Sequence, residues 1–295
     1  MLIKRNMLVY FRDRSTVIFS LYAVFIMIGL YILFLGRIME QALQSILAGA
    51  GAAANIPSGP VMTSVVLAGI VASTAVTSGM FGIYRFVADK ESAAKDFFTT
   101  QISKRKIVFS YVVGAALIGL IMASAALAIS LIYLAINGNN VINLQNLGRL
   151  AVTAILTALC ANSMVYLISV VAKTREAFMG LTNILTTLIG FLMGVFIPIG
   201  NLPDTVAWVL RLFPLSHGAS MFRQIFADEV LYELFAYVNA PPQYLEEFRL
   251  FFGVVFRFGD YTTSFWFSAA VLAVATVFFY GMSLVVMRGK LPTSY

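Results

Sequence analysis

Six stretches of the chain, 16–36, 61–84, 107–136, 150–172, 177–199 and 261–287, contain no Asp, Glu, Lys, Arg or His. A helix rises about 1.5 Å per residue, so about 20 apolar residues cross a hydrocarbon layer about 30 Å thick. All six stretches reach that length. Inside such a layer the backbone must satisfy its own hydrogen bonds, which a helix does within a single segment. The composition agrees: 60% of the 295 residues are hydrophobic and 11% charged, where a soluble domain carries about a quarter charged. The expected fold is an all-α integral membrane protein with six transmembrane helices, forming one transmembrane domain over 1–295. Small residues Ala48, Gly49 and Ala50 follow the first stretch, but that stretch is too long and too distant from them for a secretory leader. It reads as a retained first span.

The basic residues orient the spans. Lys4, Arg5, Arg12 and Arg14 precede the first; Arg85, Lys90, Lys95, Lys104, Arg105 and Lys106 join the second and third. Lys173 and Arg175 join the fourth and fifth, and Arg288 and Lys290 follow the sixth, so one side holds fourteen of the twenty basic residues. The other side has only Arg37, Arg149, Arg211, Arg223, Arg249 and Arg257, in longer loops. The positive-inside bias therefore places both termini in the cytoplasm of a multi-pass cell-membrane protein, expected in a bacterial plasma membrane. The net charge of +7 is spent on topology and does not indicate a nucleic-acid partner.

The outer loops differ in kind. Residues 48–54 are Ala and Gly, followed by Pro57, Gly59 and Pro60, which reads as a flexible connector with room for a short helix. Residues 137–140, Asn-Gly-Asn-Asn, read as a turn without a function. The third outer region, 200–260, is the longest. Its middle, 219–238, suits a helix, but Arg223, Asp228, Glu229 and Glu233 make it too polar to span, so an external or interface-lying amphipathic helix is expected. Pro241 and Pro242 end it, and 244–258 offers a second aromatic-rich amphipathic piece. No motif aligns the two halves as an inverted repeat.

The chemistry is sparse. A carrier coupled to an ion gradient usually holds carboxylates, histidines or lysines in its spans, and these spans have none. Carbonyls and hydroxyls can still hold sodium, so an ATP-independent secondary carrier or channel is weakened and not removed. No Walker A pattern occurs, since Gly289-Lys290 is followed by Leu291. If the chain pumps, a separate subunit supplies the energy. One cysteine, Cys160, and one histidine, His217, leave no disulfide and no His or Cys metal cluster. No catalytic, cofactor-binding or metal-binding residue is assigned, and the absent intramembrane His, Asp and Glu count against an intramembrane enzyme. A non-transporting scaffold stays open.

Single residues carry two readings each. In the loop 85–106, Asp89, Lys90, Glu91, Lys95 and Asp96 surround two adjacent phenylalanines, Phe97 and Phe98. Exposing such rings costs about 1.5–3 kcal/mol each, so they either fold back onto the membrane interface or dock into a partner. Asn162, Ser163, Thr182, Asn183, Thr186 and Thr187 lie inside spans four and five, where they either bond across helices or line a translocation path. His217, beside Pro214 and Gly218, reads as a turn cap before it reads as a proton carrier. Gly190 and Gly194 form a Gly-x-x-x-Gly element suited to close helix approach, between protomers or within one.

Three features together resemble the permease subunits of type-2 ATP-binding-cassette exporters. The first is the basic amphipathic segment 1–14 leading into span one, and the second is the loop 85–106. The third is the run 194–203, Gly-Val-Phe-Ile-Pro-Ile-Gly-Asn-Leu-Pro, followed by Phe213-Pro214-Leu215-Ser216-His217-Gly218-Ala219 and Arg223. The resemblance covers the whole chain. It implies an N-terminal connecting helix (1–15) along the inner leaflet, a cytoplasmic coupling helix near 88–100, and two re-entrant half-helices near 203–226 before the last span. Carried onto this sequence, Asp89, Lys90, Glu91, Lys95, Phe97 and Phe98 would couple to the ATPase. Pro203, Pro214, His217 and Arg223 would shape the re-entrant region. The chain itself would bind no cofactor; ATP and Mg would sit on a cytoplasmic ATPase subunit, and a second permease copy or homologue would complete the complex in the lipid bilayer. The charge-free, Phe-, Met- and Leu-rich interior favours a hydrophobic or amphipathic cargo such as a drug, peptide antibiotic or lipid-like molecule, with polysaccharide or teichoic-acid export as the variant. The stretch 228–258 exceeds compact members of the family.

Overall fold

The computed structural model describes residues 2–49, 59–92, 104–139, 141, 143–172 and 174–290. Several of its helices start where a side chain satisfies a free backbone N–H of the first turn. Helix α1 (Leu2–Arg12) turns Ile3, Asn6, Met7 and Tyr10 inward at helical spacing, with Tyr10 fully buried. Asp13 then caps α2 (Arg14–Leu30), accepting from the Thr16 N–H at 3.2 Å and the Thr16 hydroxyl at 2.7 Å. A π-turn, Tyr31–Leu35, closed by the Gly36 N–H on the Tyr31 carbonyl, carries the chain without a stop into α3 (Gly36–Gly49). Residues 50–58 of the expected connector lie outside the described ones, while the chain before them is helix as far as Gly49. The reason is a second apolar stripe, Met39, Leu43, Ile46 and Leu47, all buried.

The bundle is completed by α4 (Gly59–Ser92), α5 (Lys104–Ile136), α6 (Leu144–Val171) and α7 (Arg175–Leu192). Asn143 caps α6 through the Asn146 N–H at 2.7 Å, and Thr174 caps α7 through the Ala177 N–H at 3.2 Å. Beyond them come α8 (Asp204–Leu212), α9 (Pro214–Tyr237) and α10 (Pro242–Phe251), the last two opened by a proline that needs no N–H partner. A hairpin of β1 (Arg257–Phe258) and β2 (Tyr261–Thr262) leads into α11 (Phe265–Lys290).

Among the described residues, four helices are long and apolar enough to cross a membrane: Gly59–Asp89, Lys106–Ile136, Leu144–Val171 and Phe265–Met287. The first and fifth apolar stretches are also helical, but α2 has 17 residues and α7 has 18. The fifth stretch, 177–199, is not one helix. It breaks at Met193, where Gly194 adopts a left-handed φ of +60° and Pro198 follows. Phe196 folds back over Gly190, where a Cβ would lie 2.0 Å from the Phe196 ring. The Gly-x-x-x-Gly element is thus used inside the protomer.

Helix α4 is the axis. From 61 to 80 every residue except Thr63 is buried, and α2, α5, α6, α7 and α9 pack around it. Small residues permit the approach: a Cβ on Gly82 would lie 2.8 Å from the Ala115 Cα. The hydroxyls of Ser64, Ser73, Thr74 and Thr77 bond carbonyls three or four residues back, which satisfies them inside an apolar bundle.

A second core forms at the end of the bundle where α4 begins. There α3, the start of α4, the latter half of α9 and α10 bury Leu43, Met62, Leu231, Phe235 and Phe248 together. Two expectations change here. The turn at 137–139 is not idle, because Asn139 is buried and its Nδ2 donates to Ser64 Oγ at 2.8 Å and to the Phe226 carbonyl at 3.2 Å. Nor is 219–238 a merely external helix: α9 is buried on every side from Leu215 to Ala227, and only its latter half alternates exposed and buried residues.

Candidate functional site

A cleft of about 490 Å³ lies between the start of α2, the middle of α4 and α7. Its walls mix apolar and hydroxyl or amide groups: Met80, Phe81, Tyr84, Phe178 and Met179 against Thr16, Thr77, Thr182, Asn183 and Thr186. Of the expected path residues, Thr182, Asn183 and Thr186 line this cleft. The Thr186 hydroxyl is within 2.8 Å of the Thr182 carbonyl and 3.2 Å of Met80 Sδ, while Thr187 is exposed and bonds the Asn183 carbonyl at 2.9 Å. Asn162 and Ser163 are not brought to the cleft. They are buried on α6, where Asn162 Oδ1 accepts from the Tyr280 hydroxyl at 2.9 Å and Ser163 donates to the Cys160 carbonyl at 2.8 Å.

At one rim Arg85 donates to Asp13 Oδ2 at 3.0 Å, joining the end of α4 to the start of α2. The Thr16 hydroxyl, then its N–H, with Arg85 behind them, hold the Asp13 carboxyl below its ordinary value. One turn further along α4, Asp89 faces inward. It accepts from the Tyr111 hydroxyl of α5 at 2.5 Å and lies 3.7 Å from Arg5 of α1. Asn6 donates to Ser110 at 3.5 Å, and Gly114 gives Asn6 its place, since a Cβ there would be 3.4 Å from the Asn6 Cβ. These contacts clasp α1 against the bundle beside the residues that open the expected coupling segment. The backbone of Lys90 and Glu91 continues α4, and Lys95, Phe97 and Phe98 lie outside the described residues.

The opposite end holds a fully buried cation. Arg223 donates through Nε to the Val65 carbonyl at 3.3 Å, through Nη1 to Gly253 at 3.3 Å, and through Nη2 to Met193 and to Gly194 at 2.9 Å. Its ligands are carbonyls only; among the described residues no carboxylate pairs with it. Two of those carbonyls belong to the broken end of α7, the negative end of a helix dipole, which favours a cation. His217, also buried, donates from Nε2 to the Arg211 carbonyl at 3.0 Å, because a carbonyl can only accept. In the neutral ring Nδ1 then accepts from Ser268 at 3.1 Å. His217 thereby ties the end of α8 to α11 across α9. Pro214 begins α9, and Pro203 precedes α8.

A family model described as ABC-2 family transporter protein matches residues 58–285, from the start of α4 to near the end of α11. The chain belongs to this family. No curated protein matches it. As an ABC-2 family protein it is a membrane subunit of an ABC transporter, and the cleft, the clasp at Asp89 and the Arg223 node are features of that subunit.

Several residues of this ABC-2 family protein escaped sequence reading: Asp13, Thr16, Met80, Tyr84, Arg85, Phe178 and Tyr111. One signal was available. Asp13 is the sole acid in a basic segment and stands three residues before Thr16, the spacing of a helix cap.

Proposed function

We propose that this chain is the permease of an ATP-driven exporter, with six spans, cytoplasmic termini and an amphipathic cargo. The observation that carries the reading is the cleft between α2, α4 and α7. Its volume falls within the roughly 300–1,000 Å³ usual for small-molecule sites, and its few hydroxyls and one amide among Phe, Met and Tyr suit a ligand that is mostly apolar with some hydrogen-bonding groups. It carries a single acid and a single base, Asp13 and Arg85, which pair with each other. That leaves no charge for an ionic glycan and supports a drug, peptide antibiotic or lipid-like molecule. An ATPase subunit would bind at the loop that follows α4, and a second copy or homologue would face α7, whose Met179, Leu181, Ile184 and Leu188 are exposed. Closure of the ATPases would then move α4 and α5 and expel the cargo from the cleft.

The test is substrate-stimulated ATP hydrolysis by the chain with its ATPase in lipid vesicles, against a panel of amphipathic compounds. Thr182→Trp fills the cleft with a large ring and should reduce stimulation at least about tenfold while basal hydrolysis persists, the loss of a few favourable contacts at 1.4 kcal/mol per decade. Stimulation unchanged by Thr182→Trp would show that cargo travels elsewhere.

A further inference from the structure

The face of α1 turned away from the bundle combines three exposed apolar side chains, Leu8, Val9 and Phe11, at 51%, 38% and 37% exposure, with exposed Lys4, Arg12 and Arg14. The apolar surface continues onto α2 through Ile18 and Tyr22, exposed at 63% and 53%. The nearby acids do not balance this face. Asp13 is taken by Thr16 and Arg85, and Asp89 by Tyr111 and Arg5, so both are turned into the clasp. Among the described residues no carboxylate pairs with Lys4, Arg12 or Arg14.

Exposed apolar side chains interspersed with uncompensated long cationic ones, on a helix that leads into an apolar one, match the boundary between acyl chains and phosphate groups, where the stems of Lys and Arg lie along the apolar layer and their heads reach the phosphates. From this the geometry points to an anionic-phospholipid site on the outer face of α1, with Leu8, Val9 and Phe11 in the acyl layer and Lys4, Arg12 and Arg14 on headgroup phosphates. A zwitterionic lipid satisfies the apolar side chains equally, but its phosphate is already offset by its own choline or amine and leaves the charge of the three cations uncompensated. The net negative headgroup is therefore the one selected. The site requires membrane residence alone and stands independently of the exporter reading.

Its test uses the full chain in nanodiscs, with Leu8→Cys introduced into a Cys160→Ala background and labelled with a fluorophore. Brominated phosphatidylglycerol and brominated phosphatidylcholine are compared as quenchers at equal mole fraction. A surface cation near the headgroups contributes on the order of 1 kcal/mol toward an anionic lipid, so preferential quenching by phosphatidylglycerol of at least about threefold is expected. The preference should shrink in 1 M salt without any further substitution. It should vanish in Lys4→Gln/Arg12→Gln/Arg14→Gln and survive in Arg12→Lys/Arg14→Lys. Equal quenching by the two lipids would mean plain immersion and overturn the proposal. Absence of quenching by either would mean that another protein surface covers α1, and would overturn it too.

Discussion

Replacing Arg223 with methionine sets two large terms against each other. The guanidinium is fully buried, and its removal strips donors from four carbonyls, those of Val65, Met193, Gly194 and Gly253. The Val65 carbonyl keeps its bond within α4, and each of the other three, left without a partner, costs about 1–3 kcal/mol, so the loss is roughly 3–9 kcal/mol before compensation. Against it stands the recovered cost of burying an ion, several kcal/mol after relaxation. Because the carbonyls carry no full charge, their loss outweighs the recovery only moderately, and Arg223→Met should destabilise by roughly 2–4 kcal/mol. Arg223→Lys is not expected to rescue: it keeps the buried charge but offers three donors from one point, where the carbonyls are spread around a planar fork. Cys160, fully buried and the chain's one cysteine, supplies the assay, since its reaction with a thiol dye on heating reports unfolding in mixed micelles. Both variants should lower the midpoint, by roughly 5–15 °C on the scaling for chains of this size. A methionine variant as stable as the parent would refute the carbonyl accounting, and a lysine variant as stable as the parent would refute the importance of the fork.

The clasp gives a second expectation: Asp89→Asn and Tyr111→Phe should each loosen α1 by about 1–3 kcal/mol, read as faster proteolysis between α1 and α2. Gly190→Ala should displace the Phe196 ring, whose nearest carbon lies 2.0 Å from the new Cβ, and lower the Cys160 unfolding midpoint. Gly180→Ala on the same helix, with nothing within 4 Å, should not. Asp13 sets a pH expectation. Its folded pKa lies below the ordinary 3.8, so its stabilising contact is complete above that value and fades only as pH falls through the lowered one. Fluorescence transfer between labels on α1 and α4 should therefore stay flat from pH 7 to pH 5, and a change within that interval would count against the cap.

The apolar stretches were legible because charge-free runs of that length have few other uses, and the helices α4, α5, α6 and α11 fall within or around them. The break in α7 was harder to read. Gly194 and Pro198 stand in a run that is apolar throughout, and composition alone does not show that a left-handed glycine turns the chain there. In the sequence Arg223 marks 219–238 as too polar to span, whereas carbonyls brought from three distant segments make its burial tolerable. Such partners have no sequence signature, since every residue owns a carbonyl. The cleft was half legible: Thr182, Asn183 and Thr186 stand out as polar residues in a span, but Asp13, Arg85 and Phe178 meet them only through packing.

The π-turn at Tyr31–Leu35 has a consequence for how such a chain tolerates insertion and deletion. Each residue advances an α-helix by about 100°, so one residue more or less rotates everything beyond it by that angle. Loss of one residue between 31 and 35 would restore ordinary helical bonding and improve the local geometry. Because a π-turn winds each residue by less than an α-helix does, removing one while the others return to α geometry would leave Met39, Leu43, Ile46 and Leu47 close to the azimuth at which they meet the core shared with α9 and α10. The irregular turn is the phase adjustment that lets one continuous helix present its exposed side chains Phe25 and Ile26 and its protein-facing stripe at different azimuths. A one-residue deletion within 31–35 is therefore predicted to be tolerated, whereas one between Gly36 and Met39 should turn the stripe by about 100° and unseat it from the core.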